Sequence, residues 1–172
     1  MIIMVIRFFH SQTFKAFTLV FAVVFYLLAF IVAFKPEPFL QFGYWGIFAF
    51  NLVGPGTFLI PVASRHFMVL GVALATSLGM AINDSVSWLA GKNGDIVFPR
   101  GKRVARIEAA IKKYGPFALF FWAIIPFPYD FIAVIAGYLK LPFKRFLIPT
   151  FLGRLLRFIL MGFGIVAIWG KF

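Results

Sequence analysis

The chain contains no cysteine and little charge. None of its 172 residues is Cys, and 13% are charged, against about 25% in a typical soluble domain. The missing thiols exclude disulfides, thiolate catalysis and Cys-based zinc or iron–sulfur sites. The two histidines, His10 and His66, have no acidic or histidine neighbour in sequence, so we expect neither a metal site nor a cofactor. With 63% hydrophobic residues and a mean hydropathy of +0.99, the composition predicts an integral membrane protein of a single domain.

Acidic residues are the scarcest charged class. The chain has 5 Asp and Glu residues and 17 Lys and Arg residues, which gives a net charge of +12. A basic excess of this kind is typical of nucleic-acid-binding proteins. In a membrane chain, however, it is explained by basic loops that stay on the cytoplasmic side and face anionic headgroups. We therefore expect membrane lipids, and no nucleic acid, as partners.

Long apolar runs divide the chain, and two of them are broken. Residues 16–34 form an uncharged run of 19 residues, which as a helix spans about 28 Å, nearly the thickness of the hydrocarbon core. No small-residue cleavage site follows it, so the run predicts an uncleaved membrane helix rather than a signal peptide. Gly54-Pro55-Gly56 interrupts the second run, and Pro126 and Pro128 interrupt the fourth. The predicted segments are an N-terminal transmembrane helix (1–37), a first broken segment (38–66), a transmembrane helix (67–91), a basic amphipathic helix and loop (92–114), a second broken segment (115–139) and a C-terminal transmembrane helix (140–172).

The distribution of Lys and Arg selects a topology. If every apolar run crossed the membrane, the stretch 92–113 with its seven basic residues would lie outside, against the positive-inside rule. If the two broken segments instead turn back, twelve basic residues lie inside and only Lys35, Arg65 and Lys171 lie outside. We therefore predict an all-α fold with two oppositely oriented re-entrant hairpins, with the N-terminus and the 92–113 loop in the cytoplasm. Paired breaks of this kind are typical of inverted-repeat transporters, and the similar spacings from Pro55 to Leu78-Gly79 and from Pro128 to Leu152-Gly153 favour an inverted repeat.

The sequence also predicts properties of the amphipathic segment and of the hairpin tips. Val104, Ile107, Ile111 and Tyr114 recur at helical spacing and predict one apolar face, with basic residues opposite, lying at the membrane surface. The half-helices after Gly56 and after Pro128 are expected to point unpaired N–H groups at the midplane, where they attract anions.

Four charged residues lie inside apolar runs. Asp84 and Asp130 are the acids, and because a charge in the bilayer is expensive, each is either functional or structurally paired. Asp130 follows the Pro126–Pro128 break, so it is a candidate helix N-cap as well as a candidate proton carrier. Arg154 and Arg157 share one helix face. If their helix begins near Phe146 they lie about 12 and 17 Å along it, where pairing with Asp84, Asp130 or a lipid phosphate is favoured over snorkelling.

The motifs resemble a known family. The run Ile125-Pro126-Phe127-Pro128-Tyr129-Asp130 continues through Ala136-Gly137-Tyr138 and Leu141-Pro142-Phe143 to Phe151-Leu152-Gly153-Arg154-Leu155-Leu156-Arg157. This is similar to the core of the DedA superfamily, also called the VTT or SNARE-associated family, in particular its YqaA-like branch. Gly54-Pro55-Gly56-Thr57 resembles the first re-entrant motif, and Asn83 with Trp88 and Gly91 resembles the helix that follows.

The resemblance implies lipid transport rather than catalysis. Bacterial members are implicated in returning undecaprenyl phosphate across the plasma membrane, and eukaryotic members act as phospholipid scramblases. This chain departs from many bacterial members: Asn51 and Thr57 stand near the places of two acids, and Ile124, Ile125 and Tyr129 occupy the neighbourhood of expected arginines. The proton-coupling chemistry of those members therefore does not transfer as a whole to this chain. The residues expected at the lipid headgroup are Asn51, Gly54, Gly56, Thr57, Asn83, Arg154 and Arg157, with Asp84 and Asp130 for proton or ion coupling and Pro55, Pro126 and Pro128 at the hairpin tips.

The leading hypothesis is thus a flippase or scramblase for a polyprenyl phosphate or a phospholipid in a prokaryotic plasma membrane. Two other classes stay open. A structural or assembly protein would use the amphipathic helix and inner loops for docking. An intramembrane enzyme acting on lipid phosphates would need a nucleophile or metal cluster that the sequence does not display. Homo-oligomerisation is also left open.

Overall fold

The computed structural model describes residues 41–53, 56–93, 101–126 and 128–170, and within these ranges the chain is helical with no strand. The predicted N-terminal helix at 1–37 and three hairpin residues, Gly54, Pro55 and Phe127, lie outside the described residues. The helices are α1 (Gly43–Val53), a short 3₁₀ helix (Gly56–Leu59), α2 (Ile60–His66), α3 (Val69–Asn93), α4 (Lys102–Tyr114), α5 (Pro116–Ile124), α6 (Tyr129–Tyr138) and α7 (Phe143–Trp169).

Two of these helices are long and apolar enough to cross a membrane. They are α3, with 25 residues, and α7, with 27, and at about 1.5 Å per residue each exceeds the hydrocarbon thickness. Each carries an exposed stripe of large apolar side chains at helical spacing. In α3 the stripe is Leu74, Leu78, Ile82, Val86 and Leu89, and in α7 it is Ile148, Leu152, Leu156, Leu160 and Phe163. Continuous apolar stripes on the outside of a fold are suited to lipid rather than water.

The helix boundaries follow from proline and glycine. Gly115 separates α4 from α5 with φ +56°, a left-handed conformation that only glycine adopts at little cost, and Pro116 then opens α5. Ile125 ends α5 in an extended conformation because the ring of Pro126 disfavours a helical residue before it. Pro142 occupies the N-cap of α7. Proline and glycine therefore end helices at positions where the apolar pattern alone predicts no boundary.

The short helices divide their packing between the two long ones. Helix α1 packs along α3 and α5 packs along α7, so each short helix contacts the long helix that follows it. The second short helix of each half crosses over: α6 packs along α3, and α2 packs along α7. Helices α3 and α7 also pack on each other. The core therefore lies around the contact between α3 and α7, with two short helices on each.

Two glycines make equivalent contacts in the two halves. Gly79 of α3 lies against Phe48 and Asn51 of α1, and Gly153 of α7 lies against Phe120 and Ala123 of α5. The two contacts are also separated by nearly the same distance along the chain: Phe120 lies 72 positions after Phe48, and Gly153 lies 74 positions after Gly79. A side chain at Gly153 would meet the backbone carbonyl of Phe120, so the absence of a Cβ permits the close approach of α5 and α7.

Replacing Gly153 with Ala is expected to destabilise the protein. The neighbouring backbone cannot move aside as a flexible side chain does, so we expect a loss of at least about 1–3 kcal/mol in the free energy of unfolding. Thermal unfolding of the detergent-purified protein measures this loss. Gly164→Ala is the matched control in the same helix, because no atom lies within 4 Å of a Cβ added there. Equal stability of the two variants would show that α5 and α7 do not approach as described.

The amphipathic helix differs from the prediction in one respect. Ile107 and Ile111 are buried in α4, as the periodicity predicts, but Tyr114 is 56% exposed. The reason is that the apolar face packs on protein: the cluster around Ile107 and Ile111 includes Leu119 of α5 and Ile132 of α6. Within the described chain, this face is covered by the second broken segment and is not free to insert into lipid.

Candidate functional site

A buried ion pair joins the two long helices. The Arg154 side chain on α7 donates from Nε to Oδ2 of Asp84 on α3 at 2.6 Å, and from Nη2 to Oδ1 at 2.7 Å. Asp84 is 3% exposed and Arg154 is 4% exposed. The third nitrogen, Nη1, lies 3.4 Å from the Met80 sulfur. The parallel, bidentate geometry is the one in which Arg and carboxylate interact most strongly.

Tyr129 and Thr150 support the arginine. The guanidinium carbon of Arg154 lies 5.0 Å from the centre of the Tyr129 ring, within cation–π range. The Tyr129 hydroxyl is 2.8 Å from the Thr150 hydroxyl and 3.3 Å from the Leu119 carbonyl oxygen, while Thr150 donates to the Phe146 carbonyl at 2.7 Å. Thr150 lies one turn before Arg154 on α7. Helices α3, α6 and α7 therefore each contribute a side chain to one polar centre.

The position of Arg154 along its helix differs from the prediction. Helix α7 begins at Phe143 rather than near Phe146, because Pro142 forms the N-cap and Phe143, Lys144 and Arg145 form the first turn. Arg154 consequently lies about 17 Å along the helix rather than 12. At that depth the arginine cannot easily reach the near membrane surface, which fits its pairing with Asp84.

Burial makes this pair costly unless both partners are present. Moving two charges out of water carries a desolvation penalty that only a well-formed interaction offsets. Here the carboxylate has both oxygens bonded to the guanidinium, and the aromatic ring covers the cation. The two helices that the pair joins are the two membrane-spanning candidates, so loss of one partner alone leaves an unpaired charge at the contact between α3 and α7.

A second group of buried polar side chains lies in the first half. Asn51 of α1, Ser64 of α2 and Thr76 of α3 are fully buried. Asn51 donates to the Ile47 carbonyl at 2.7 Å. Its Oδ1, the Ser64 hydroxyl and the Thr76 hydroxyl have no partner among the described residues. Asn51 packs against Gly79 of α3, the residue before Met80, and Ser64 lies against Gly162 of α7.

Asp130 does not occupy the position that the sequence predicts for it. The N-cap of α6 is Pro128, and Asp130 is the second residue of the helix, exposed, with no capping hydrogen bond. It accepts a hydrogen bond of 3.0 Å from the Ser87 hydroxyl on α3. The physical reason is that Pro128 ends the break, so Tyr129 already has helical geometry. A carboxylate therefore already lies at the N-terminus of α6, which reduces the attraction of that end for an anionic headgroup.

The remaining predicted residues do not converge on the ion pair by any described contact. Arg157 is half-buried and lies over the neighbouring Phe158 ring, 5.6 Å from its centre. Asn83 and Thr57 are half-buried, and Pro126 and Pro128 are exposed. Gly56 opens the 3₁₀ helix. Gly54 and Pro55 lie outside the described residues.

The sequence reasoning missed three members of the polar centre: Tyr129, Thr150 and Met80. Tyr129 lies between Pro128 and Asp130, so it could have been found as a polar side chain at a helix start inside an apolar run. Thr150 lies one turn before Arg154, which places both on one helix face. Met80 has no signal in the sequence, because a methionine in a membrane helix normally only packs.

The chain is thus an all-helical membrane protein with a buried polar centre between its two long helices. No group of three or more metal-ligating side chains occurs in its described portion. The family model of the VTT domain matches residues 17–166. The chain therefore belongs to the VTT domain family, the DedA family, which is a family of membrane proteins and not a known enzyme family.

One relative of this chain comes from an archaeon. An uncharacterized protein of Methanocaldococcus jannaschii is 24% identical over 133 residues, which cover 68% of this chain and 80% of the relative. No solved structure matches the chain.

Proposed function

We propose that this protein moves a phosphate-bearing lipid, a polyprenyl phosphate or a phospholipid, across the bilayer as a flippase or scramblase. The observation that carries the proposal is the bidentate Asp84–Arg154 pair buried at the contact between the two long helices. A planar guanidinium held in this way binds a carboxylate or a phosphate with the same two parallel hydrogen bonds. The pair is a resting state in which Asp84 occupies the place of the lipid phosphate.

Transport then consists of an exchange of anions on Arg154. When a lipid phosphate reaches the guanidinium it replaces the Asp84 carboxylate, while the apolar tail remains in the bilayer beside the stripes of α3 and α7. Arg157, three residues further along α7 and half-buried, supplies a second cation to the phosphate. The released carboxylate takes up a proton, since an unpaired charge in the membrane is costly. This step would couple lipid movement to protons, with Asp130 as a second acid at the start of α6.

The buried polar side chains of the first half would line the path of the headgroup. Asn51 and Thr76 are buried and have hydrogen-bonding capacity left over among the described residues. A headgroup that passed them would satisfy these groups, which otherwise remain unpaired at a cost of about 1–3 kcal/mol each. Asn83, Thr57 and the glycines of the first break are assigned to the same path on the strength of the family resemblance.

The way in which the short helices pack on the two long helices supports an inverted repeat. In each half the first short helix packs on its own long helix and the second crosses to the long helix of the other half. The equivalent contacts of Gly79 and Gly153 follow the same relation. We therefore propose that residues 38–66 and 115–139 form two re-entrant hairpins that enter from opposite faces, within the six segments predicted from the sequence. Irregular backbone at membrane depth is tolerated where it is buried in protein.

The orientation and surroundings belong to the same proposal. The N-terminus and the loop 92–113 lie in the cytoplasm, because this arrangement places most basic residues inside. The partners are membrane lipids, the membrane is a prokaryotic plasma membrane, and assembly into homo-oligomers is compatible with the fold.

Transport by a variant without the ion pair tests this function. Asp84→Leu/Arg154→Met removes both charges together, so the helix contact persists without an unpaired charge. In liposomes that contain a fluorescent phospholipid, we expect this variant to lose the flip activity of the wild type. Arg145→Ala is the matched control, an exposed arginine removed from the same helix, and we expect full activity. Activity of the double variant at the wild-type rate would contradict the proposal, and an inactive wild type would favour a structural or assembly role.

A further inference from the structure

A cavity of about 540 Å³ lies on the surface between α4 and the end of α6, away from the ion pair. It falls in the range of about 300–1,000 Å³ typical of small-molecule sites. Val104 and Ala105 of α4 and Leu139, just after α6, are the apolar residues that line it. Tyr138 lines it too and is partly exposed. Tyrosine is enriched at membrane–water interfaces, where its ring sits at the level of the lipid headgroups.

Three charged side chains also line this cavity. Lys112 and Glu108 come from α4, and Lys140 comes from the turn after α6. Within the part of the chain that the structure describes, no ion pair joins these three charges to one another. The site thus offers two ammonium groups and one carboxylate together with apolar side chains. Two cations can bind a phosphate group, and the carboxylate can accept hydrogen bonds from a primary ammonium group.

The backbone of Lys140 is a second, independent observation. Its φ is +54°, the left-handed conformation, and it is the one non-glycine residue with positive φ in the described chain. The N–H of Lys140 bonds to the Gly137 carbonyl at 2.8 Å, and that of Leu141 bonds to the Ala136 carbonyl at 3.1 Å. These two bonds define a Schellman motif, whose left-handed position is normally glycine. A lysine kept there against its conformational preference points to a use for its side chain.

We propose that this cavity binds one aminophospholipid headgroup, with its phosphate on Lys112 and Lys140 and its primary ammonium on Glu108. The bound lipid is a resident of the membrane surface rather than the transported substrate, because the cavity contains no residue of the ion-pair centre. Phosphatidylethanolamine meets both requirements. Phosphatidylglycerol has no cation for Glu108, and phosphatidylcholine has an ammonium without N–H donors.

Native mass spectrometry of the detergent-purified full-length chain tests this site. The wild type, mixed with equal amounts of phosphatidylethanolamine, phosphatidylglycerol and phosphatidylcholine, is expected to retain phosphatidylethanolamine preferentially. Lys112→Ala and Lys140→Gly should each reduce its retention about five-fold, the effect of one surface lysine on an anionic headgroup. Lys113→Ala is the matched control, since it removes the same charge from α4 but Lys113 does not line the cavity. Glu108→Gln should abolish the preference for phosphatidylethanolamine over phosphatidylcholine.

Thermal unfolding separates lipid loss from misfolding. Glycine fits the left-handed position better than lysine, so Lys140→Gly is expected to be at least as stable as the wild type. A variant that is stable but has lost lipid supports the site. Retention at the wild-type level in Lys140→Gly, or equal retention of the three lipids by the wild type, would overturn it. Neither result depends on flip activity.

Discussion

Replacing Arg154 with Met alone is expected to lower the free energy of unfolding by about 3–5 kcal/mol, because it leaves the Asp84 carboxylate buried without a partner. Asp84→Leu alone should cost a similar amount, since it leaves the guanidinium unpaired. The double variant Asp84→Leu/Arg154→Met should recover most of the loss. Denaturant unfolding of the four detergent-purified proteins gives the coupling free energy directly.

The physical reason lies in the geometry of the pair. Both carboxylate oxygens are bonded to the guanidinium at 2.6 and 2.7 Å, and both residues are almost fully buried. An isolated partner would have neither water nor another charge to compensate it. If the two single losses simply add in the double variant, the pair does not interact across the α3–α7 contact as the structure describes.

Replacing Arg154 with Lys is expected to preserve the fold and to slow transport on the order of 10- to 100-fold. Lysine keeps the charge beside Asp84 but presents a point charge instead of the planar fork. The variant thus loses one of two parallel hydrogen bonds to phosphate, worth about 1.5–3 kcal/mol for a charged group. The measurement is the initial flip rate of a fluorescent phospholipid in liposomes at equal protein content. Arg145→Lys makes the same chemical change at an exposed position of α7 and serves as the control.

The two outcomes of that comparison separate transport from structure. A slow but well-folded Arg154→Lys protein places the defect in phosphate recognition. A variant that flips lipid at the wild-type rate would show that the fork of the guanidinium has no part in transport.

Much of the architecture could be predicted from the sequence. Long, largely apolar runs correctly indicated α3 and α7, since a helix long enough to cross a bilayer needs about 20 predominantly apolar residues. Arg154 was correctly considered a partner for Asp84, because opposite charges inside apolar runs have few other ways to be compensated. The helical spacing of Ile107 and Ile111 also identified the buried face of α4.

Other features depend on contacts that are distant in sequence. Tyr114 continues the apolar spacing of α4, but the helix packs on α5 and α6 through Ile107 and Ile111 and leaves this ring exposed. Asp130 has the sequence context of an N-cap, yet helical geometry begins one residue earlier at Tyr129. The choice of Asp84 as the partner of Arg154, and the support from Tyr129, follow from how α3, α6 and α7 meet. The spacing of residues within one helix does not show which other helices it packs against.

The role that we propose for Arg154 is recognition of the phosphate of a transported lipid. The most direct measurement compares two fluorescent lipids in liposomes with the wild-type protein: one with a phosphate in its headgroup and one with a neutral sugar in its place. We expect the protein to accelerate the crossing of the phosphate-bearing lipid alone, and to lose this effect in Asp84→Leu/Arg154→Met. Equal acceleration of both lipids, or acceleration that persists without the ion pair, would contradict the assignment of Arg154 as the phosphate-binding residue.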